Sequence, residues 1–249
     1  MLIDCNFMLG GGSAVRHAVA EECALRTLRD YGIDKAVAYH AEARYYDVIS
    51  GNRRLIEFTK TDDAFIPCFV LSPGYKAHTG GYSSARQMIS ENSVRFVRIF
   101  PGAHGYAFES GLTEELFSVA EEMNVTMMLE MQEIFSSDGH FTGYFESLCG
   151  KHPNLPVIVI RCMHRRNYTT DYYLENLGNV YIEPSIMNNW LFYEETIRLH
   201  GSKRVIWGSS MPFNDAGCSV SMLAYADITQ EERADISSGN IMRLLNLNP

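Results

Sequence analysis

The sequence has little that would assign it to a membrane or to a secretory route. No window approaches the ~18 consecutive apolar residues that a membrane-spanning helix requires. The opening residues 1–5 carry no basic segment, and the apolar stretch there is too short for a signal peptide. We therefore predict a protein with no membrane partner.

Positive charge is also scarce. The chain has 21 Lys and Arg residues against 30 Asp and Glu residues, which gives a formal net charge of −9. No basic run exceeds a pair such as Arg53-Arg54 or Arg165-Arg166, whereas a nucleic-acid binder usually carries a basic stripe. The sequence therefore predicts no nucleic-acid partner.

Motifs built on cysteine or glycine are missing. The six cysteines show no C-x-x-C spacing, so we interpret them as free thiols in a reducing compartment, most simply the cytoplasm. Gly-x-Ser-x-Gly does not occur, and the cluster Gly10–Gly12 lacks the spacing of a dinucleotide-binding turn. No cofactor is expected on this basis.

What the chain does have is a regular series of short apolar runs. Eight of them begin near residues 2, 35, 65, 95, 125, 156, 179 and 203, and most of the intervals are close to the ~30 residues of one strand–helix–strand unit. Several runs are apolar at every position, which is typical of parallel strands covered by helices. This spacing predicts one (β/α)₈ TIM-like barrel domain over residues 1–249, with a doubly wound open sheet as the alternative.

Polar residues concentrate where these predicted strands end. In a (β/α)₈ barrel the carboxyl ends of the strands and the loops after them carry the chemistry. A polar group left unpaired beside an apolar core costs about 1–3 kcal/mol, so the concentration predicts a polar cavity. The residues at these ends are Asn6, Met8, His40, Glu42, Arg98, His104, Tyr106, Glu130, Gln132, Arg161, His164, Glu183, Ser185, Ser209 and Ser210.

Five segments carry a family resemblance. In chain order they are Ile3–Met8, Val97–Pro101, Leu155–Arg161, Trp207–Phe213 and Gly239–Leu245. With them the chain resembles the amidohydrolase-related family of barrel hydrolases and decarboxylases, and the resemblance spans essentially the whole chain. It implies a barrel fold and a hydrolytic or decarboxylating activity on a small molecule.

The resemblance also implies where a divalent metal would be held: a His-x-His on the first strand, a ligand on the fifth, a His on the sixth and an Asp on the eighth. A thioether is a poor Zn²⁺ ligand, a guanidinium cannot ligate, and a neutral hydroxyl is weak. We therefore predict that no family metal is bound. The residues at those positions are Asn6 and Met8, then Glu130 or Gln132, then Arg161, then Ser210.

Without a metal, side chains have to supply the chemistry. We assign His104 and His164 as candidate proton carriers, because an imidazole titrates near pH 7. Glu130 and Glu183 are the candidate catalytic carboxylates. Arg161 follows a buried run, and we expect it to pair with one of those carboxylates or to bind an anion.

The predicted ligand is a small anionic molecule. Arg98 and Arg161 would clamp it, since two guanidiniums can bind one carboxylate, and the other candidate substrate-binding residues are Asn6, Tyr106 and Ser210.

The leading hypothesis is a hydrolase or decarboxylase of a carboxylate- or amide-bearing metabolite. One alternative is a catalytically silent barrel that binds an anion or serves as a scaffold. Another is an enzyme whose metal is held by Glu130, Glu183 and His164 in place of the family's ligands. Whether the protein forms a homo-oligomer is left open.

Overall fold

The fold is an α/β architecture around one parallel, curled sheet. The computed structural model describes residues 1–11, 19–135, 143–162 and 168–245. Neighbouring strands along the chain are neighbours in the sheet, and every pair is parallel. The strands are β1 (Ile3–Leu9), β2 (Lys35–His40), β3 (Phe65–Val70), β4 (Phe96–Arg98), β5 (Thr126–Glu130), β6 (Val157–Ile160) and β7 (Val180–Ile182).

Helices connect the strands. A short 3₁₀ turn (Met131–Ile134) follows β5, and a π-helical turn (Asp235–Gly239) lies near the C-terminus. The α-helices are α1 (Glu21–Asp30), α2 (Ala41–Tyr45), α3 (Val48–Thr59), α4 (Gly74–Thr79), α5 (Ser83–Glu91), α6 (Gly111–Glu122), α7 (Tyr144–Lys151), α8 (Tyr168–Asn176), α9 (Phe192–His200), α10 (Ala216–Tyr225), α11 (Gln230–Ala234) and α12 (Asn240–Leu245).

Burial of both strand faces explains why the runs fold as a covered parallel sheet. Every residue of β1, β5 and β6 is buried. The covering helices are amphipathic; α6, for example, buries Leu116, Phe117 and Ala120. The seven strands begin within one residue of the predicted run starts, so the spacing prediction is confirmed for these seven.

The eighth predicted strand does not form. The segment 205–211 instead makes isolated bridges, from Val205 to Ile182 of β7 and from Met211 to Phe7 of β1. The Trp207 N–H donates to the Ile236 carbonyl and the Ser209 N–H to the Asp4 carboxylate, so neither donates to a strand carbonyl. Ser210 has a left-handed backbone with φ of 58°. Seven strands are thus present in the described part of the chain, and segment 205–211 contacts both edge strands, which is consistent with a TIM-like barrel.

Across the described ranges the longest helices have 12 residues, and no helix is long and apolar enough to cross a membrane.

The parallel arrangement brings all the carboxyl ends of the strands to one edge of the sheet. Arg98 is the last residue of β4 and Glu130 the last of β5, while Arg161 directly follows β6 and Glu183 directly follows β7. Neighbouring strands are about 4.7–4.9 Å apart, so side chains at these ends can touch one another.

Candidate functional site

Glu130 lies among three arginines at this edge. Arg98 Nη2 donates to Glu130 Oε1 at 2.8 Å, and Arg44 Nη1 donates to the same oxygen at 2.9 Å. Arg161 Nη1 is 3.7 Å from Glu130 Oε2, so the predicted pairing of Arg161 with Glu130 is present. We call these four residues the arginine cluster. It holds three positive charges against one carboxylate.

The arginines decide the protonation of Glu130. Burial alone would raise the pKa of this carboxyl, but Arg98, Arg44 and Arg161 together outweigh burial and hold the pKa below its usual value. Glu130 is therefore ionised at neutral pH.

Aromatic rings cover the guanidiniums. Arg98 Cζ is 4.4 Å from the centre of the Tyr39 ring, and Arg44 Cζ is 4.4 Å from the centre of the Phe100 ring. Phe213 contacts two arginines, with its ring centre 5.4 Å from Arg44 Cζ and 5.3 Å from Arg161 Cζ. Ring faces attract cations, so these contacts hold Arg44 and Arg161 close to each other despite their like charge.

Arg98 differs from the other two arginines because its side chain is only 1% exposed. Its Nη1 donates to Asn6 Oδ1 at 2.8 Å, while its Nη2 is bound to Glu130. Arg98 and Asn6 bind each other in the structure, and their direct contact with a ligand stays a prediction. Arg44, whose side chain is 13% exposed, is the more open of the two arginines that donate to Glu130 Oε1.

Arg44 was missed because it lies in α2, one helical turn beyond the end of β2, rather than at a strand end. The signal that could have found it is its position four residues after the strand-end residue His40.

Glu183 lies at the same edge but has neutral partners. Asn6 Nδ2, the Arg161 backbone N–H and Ser185 Oγ each donate to Glu183 Oε2 at 3.0 Å, and the Ser185 N–H donates to Oε1. Burial raises its pKa to about 7. Gly208 packs against it, since a Cβ at Gly208 would be 2.8 Å from the Glu183 carboxyl carbon. Arg161 thus binds Glu183 through its backbone and Glu130 through its guanidinium.

Asp4 is a further buried carboxylate, and sequence reasoning missed it. It accepts from the Asn6 N–H at 2.8 Å, from the Ser209 N–H at 2.9 Å and from Ser209 Oγ. Burial raises its pKa. These bonds tie β1 to segment 205–211. An acidic residue inside an otherwise apolar run, as in Ile3-Asp4-Cys5, is the signal that could have found it.

The neighbour of His104 determines which of its ring nitrogens carries the hydrogen. Its Nε2 is 3.2 Å from the Ala43 carbonyl oxygen, which can only accept, so Nε2 carries the hydrogen and Nδ1 has a lone pair. Nδ1 is buried and bonds to no residue of the described ranges. Burial lowers the pKa of His104, so the ring is neutral at pH 7.

A cleft opens beside Arg44 and His104. Its volume is about 460 Å³, and it lies at the carboxyl ends of β2, β3 and β4, where Ser72–Gly74 and Ala103–Gly105 form part of its wall. Arg44 belongs both to this wall and to the arginine cluster, so the cleft reaches the cluster.

Three predicted site residues remain: Tyr106, Ser210 and His164. The Tyr106 hydroxyl and Ser210 Oγ are buried and have no hydrogen-bond partner within the part of the chain that is described. His164 lies outside the described residues. Among the residues described, no three His, Cys, Asp or Glu side chains are grouped as a metal site would require.

Comparison with known proteins gives the class. The family model described as amidohydrolase matches residues 28–247, which is most of the chain. The protein therefore belongs to the amidohydrolase family. No curated protein matches the chain in sequence.

Solved structures share the fold. The 2,6-dihydroxybenzoate decarboxylase from Rhizobium has a TM-score of 0.70 at 13% identity, covering 100% of this chain and 98% of that one. An uncharacterised TIM-barrel protein from Bordetella bronchiseptica has a TM-score of 0.74 at 13% identity, covering 99% and 98%. The dihydroxybenzoic acid decarboxylase from Polaromonas sp., with bound manganese and 2-nitroresorcinol, has a TM-score of 0.71 at 13% identity, covering 100% and 97%.

Proposed function

We propose that this amidohydrolase-family protein binds a small organic carboxylate at the arginine cluster and hydrolyses an ester or amide bond of that molecule without the family metal, within a closed (β/α)₈ barrel. The observation that carries the proposal is the charge of the cluster: Arg44, Arg98 and Arg161 surround a single ionised carboxylate, Glu130.

The surplus of positive charge needs an anion. A buried or half-buried cation is costly unless it is paired, and Glu130 Oε1 is already shared by Arg98 and Arg44. Arg161, and the part of the Arg44 guanidinium that does not bind Glu130, are the positively charged groups that Glu130 does not fully neutralise. A carboxylate held by both would complete the pairing through charge-assisted hydrogen bonds. The net charge of −9 does not oppose this, because local groups decide binding in a cleft.

The side chains at the family's ligand positions do not fit a divalent metal. The Asn6 and Glu130 oxygens both accept from Arg98, and the sixth-strand position holds the cation Arg161. Met8 and Ser210 supply a thioether and a hydroxyl, both weak ligands.

Hydrolysis uses the cluster better than decarboxylation does. When water attacks the carbonyl carbon of the ester or amide bond, negative charge forms on that carbonyl oxygen. An N–H group of Arg44 or Arg161 that the substrate carboxylate does not use would donate to this oxygen and stabilise the charge. In decarboxylation the charge leaves the carboxylate, so guanidiniums bound there stabilise the starting anion more than the transition state. Decarboxylation is the second candidate, supported by the shared fold with dihydroxybenzoate decarboxylases.

His104 is the proposed general base. Its Nδ1 has a free lone pair, its lowered pKa keeps it neutral, and it borders the cleft beside Arg44. Nδ1 would take a proton from the attacking water and return it to the leaving group. Glu183 is not assigned this role, because four donors already bind its carboxylate.

The binding half of the proposal is tested by thermal shift with small carboxylates and their neutral amides. The carboxylates should stabilise the wild type, and loss of one clamp in Arg44→Ala or Arg161→Ala should weaken their binding about ten- to a hundredfold. Arg86→Ala is the control, since Arg86 pairs with Glu122 on the helical surface. Equal stabilisation by acids and amides would contradict the proposal and favour the alternative of a catalytically silent barrel that serves as a scaffold.

The catalytic half is tested by following ester-, lactone- and amide-bearing carboxylates by NMR. Turnover should disappear in His104→Ala while the dissociation constant of the carboxylate stays near that of the wild type. Release of CO₂ in place of a hydrolysis product would establish the second candidate.

A further inference from the structure

We infer that the Arg98 guanidinium is a built-in cation that occupies the place of the family's divalent metal. The inference concerns the interior of the sheet edge and does not require a carboxylate ligand, so it goes beyond the proposed function.

The first support is that the Arg98 guanidinium donates hydrogen bonds to two oxygens at the implied ligand positions. Its Nη1 donates to Asn6 Oδ1 at 2.8 Å and its Nη2 donates to Glu130 Oε1 at 2.8 Å. Asn6 is at the first-strand ligand position that the family resemblance implies, and Glu130 is one of the two residues, with Gln132, at the fifth-strand position. Oxygens that would face a metal ion therefore face the two ends of one guanidinium.

The second support is the space around the guanidinium. The Arg98 side chain is buried, and its Cζ lies 4.4 Å from the Tyr39 ring centre and 4.8 Å from the Phe100 ring centre. Two rings, an amide and a carboxylate thus enclose it. A metal between Asn6 and Glu130 would have to displace the guanidinium and would meet Arg44 and Arg161 as further cations.

The third support is the charge available at the implied ligand positions. Glu130 is an ionised carboxylate there, and Arg44, Arg98 and Arg161 already share it. The other positions that the resemblance assigns to ligands are neutral or cationic: Asn6, Met8, Ser210 and Arg161. A doubly charged ion would therefore find too few anionic ligands, whereas the Arg98 guanidinium needs only the oxygens of Asn6 and Glu130.

Asn6 fits this arrangement because its two ends differ. Its oxygen accepts from Arg98 and its Nδ2 donates to Glu183 Oε2 at 3.0 Å. One planar amide therefore links the cation on one side to a carboxylate on the other.

The first experiment measures metal binding directly. Wild-type protein, produced in medium with added Zn²⁺ and Mn²⁺ and then gently dialysed, is analysed for metal and titrated with each ion by calorimetry. We expect no stoichiometric binding. One equivalent of Zn²⁺ or Mn²⁺ that is lost in Asn6→Ala or Glu130→Gln would overturn the inference.

The second experiment replaces the guanidinium from solution. Arg98→Ala should have a lower Tm than the wild type, and ethylguanidinium at low millimolar concentration should raise the Tm of Arg98→Ala by about 2–4 °C. Ethylammonium and sodium chloride at equal ionic strength should raise it less. Arg86→Ala, which removes a surface guanidinium, should gain nothing from ethylguanidinium.

Arg98→Lys keeps the test decisive if Arg98→Ala does not fold. A lysine ammonium lacks the planar fork that spans the Asn6 and Glu130 oxygens, so the urea midpoint of Arg98→Lys should fall below that of the wild type. Equal midpoints, or an Arg98→Ala protein that ethylguanidinium does not stabilise, would overturn the inference. Stoichiometric metal binding would also remove the metal-free part of the proposed function. Failure of the ethylguanidinium experiment would overturn the inference alone, because carboxylate binding by Arg44 and Arg161 is tested separately.

Discussion

Glu130 and Glu183 lie at the same edge of the same sheet and are both buried, yet their surroundings differ in charge. Arginines contact Glu130, and its pKa is held below the usual value despite burial. Neutral donors contact Glu183, and burial raises its pKa to about 7. The comparison shows that the charge of the partners, rather than the degree of burial, decides which of two buried carboxylates is ionised.

Asn6 connects the two environments, because it accepts from Arg98 and donates to Glu183. The Glu130 side has surplus charge and reaches the cleft through Arg44. The Glu183 side has all its contacts within the fold and joins β1, β6 and β7. The Glu130 side is thus arranged to bind a ligand, and the Glu183 side holds the strands of the sheet edge together.

The largest expected effect comes from neutralising Glu130. Glu130→Gln leaves Arg44, Arg98 and Arg161 without an anion, and breaking a buried ion pair in this way costs about 3–5 kcal/mol. Urea unfolding should show this loss in the free energy of unfolding. The matched control is Glu133→Gln, where the carboxylate accepts from the Gly102 N–H and the expected loss is about 1 kcal/mol. Similar losses in both variants would contradict the account of the cluster.

The next effect separates the two halves of the edge. Asn6→Leu removes one hydrogen bond to Arg98 and one to Glu183, and we expect a loss of about 1.5–3 kcal/mol, since both partners can be charged. Asn6→Asp keeps an oxygen for Arg98 but places a second carboxylate beside Glu183, so it should raise the pKa of Glu183 further. Urea unfolding at several pH values measures the stability loss in Asn6→Leu and the shift of the Glu183 pKa in Asn6→Asp. If the pH dependence of the unfolding free energy in Asn6→Asp equals that of the wild type, Asn6 does not link the two sides.

The pH dependence of stability should have opposite sign on the two sides. The pKa of Glu183 is raised from 4.5 to about 7, so its stabilising contribution is complete below pH 4.5 and is lost as the pH rises through 7. The pKa of Glu130 is lowered, so its contribution is complete above pH 4.5 and is lost at lower pH.

The measurement is the difference in unfolding free energy between the wild type and each glutamine variant. Relative to Glu183→Gln, the wild type should lose stability from pH 5 to pH 8. Relative to Glu130→Gln, it should lose stability as the pH falls below 4.5. The same sign for both differences would refute the comparison on which the assignment of the two carboxylates depends.

The sequence predicts more of the fold than of the site. The spacing of apolar runs located seven strands within one residue, because burial on both faces leaves a direct signal in composition. It failed at segment 205–211, where Ser210 has a left-handed backbone and the Trp207 N–H donates to the Ile236 carbonyl instead of a strand. Periodicity carries no information about either.

For the site, most of the partnerships could not be predicted. The exception is Arg161: a cation beside a buried run predicted a pair with Glu130 or Glu183, and the guanidinium lies beside Glu130. Arg44 could not be predicted from strand ends because α2 carries it into the cluster. Nor does the sequence say that Arg98 would bind Asn6 rather than a ligand, since that depends on distances across the sheet edge.

The smallest expected effect concerns Phe213, whose ring contacts both Arg44 and Arg161. Its side chain is 40% exposed, and each exposed cation–π contact contributes about 0.5–1 kcal/mol. Phe213→Leu should therefore weaken carboxylate binding about two- to fivefold, because the two guanidiniums lose the surface that holds them together. Tyr225→Leu is the control, because Tyr225 is an aromatic residue that is 89% exposed.

The Phe213→Leu substitution should act on the Glu130 side alone. The pH dependence of stability attributed to Glu183 should therefore be the same in Phe213→Leu as in the wild type. A shift of that profile, or carboxylate binding equal to that of Tyr225→Leu, would mean that Phe213 does not position the open arginines.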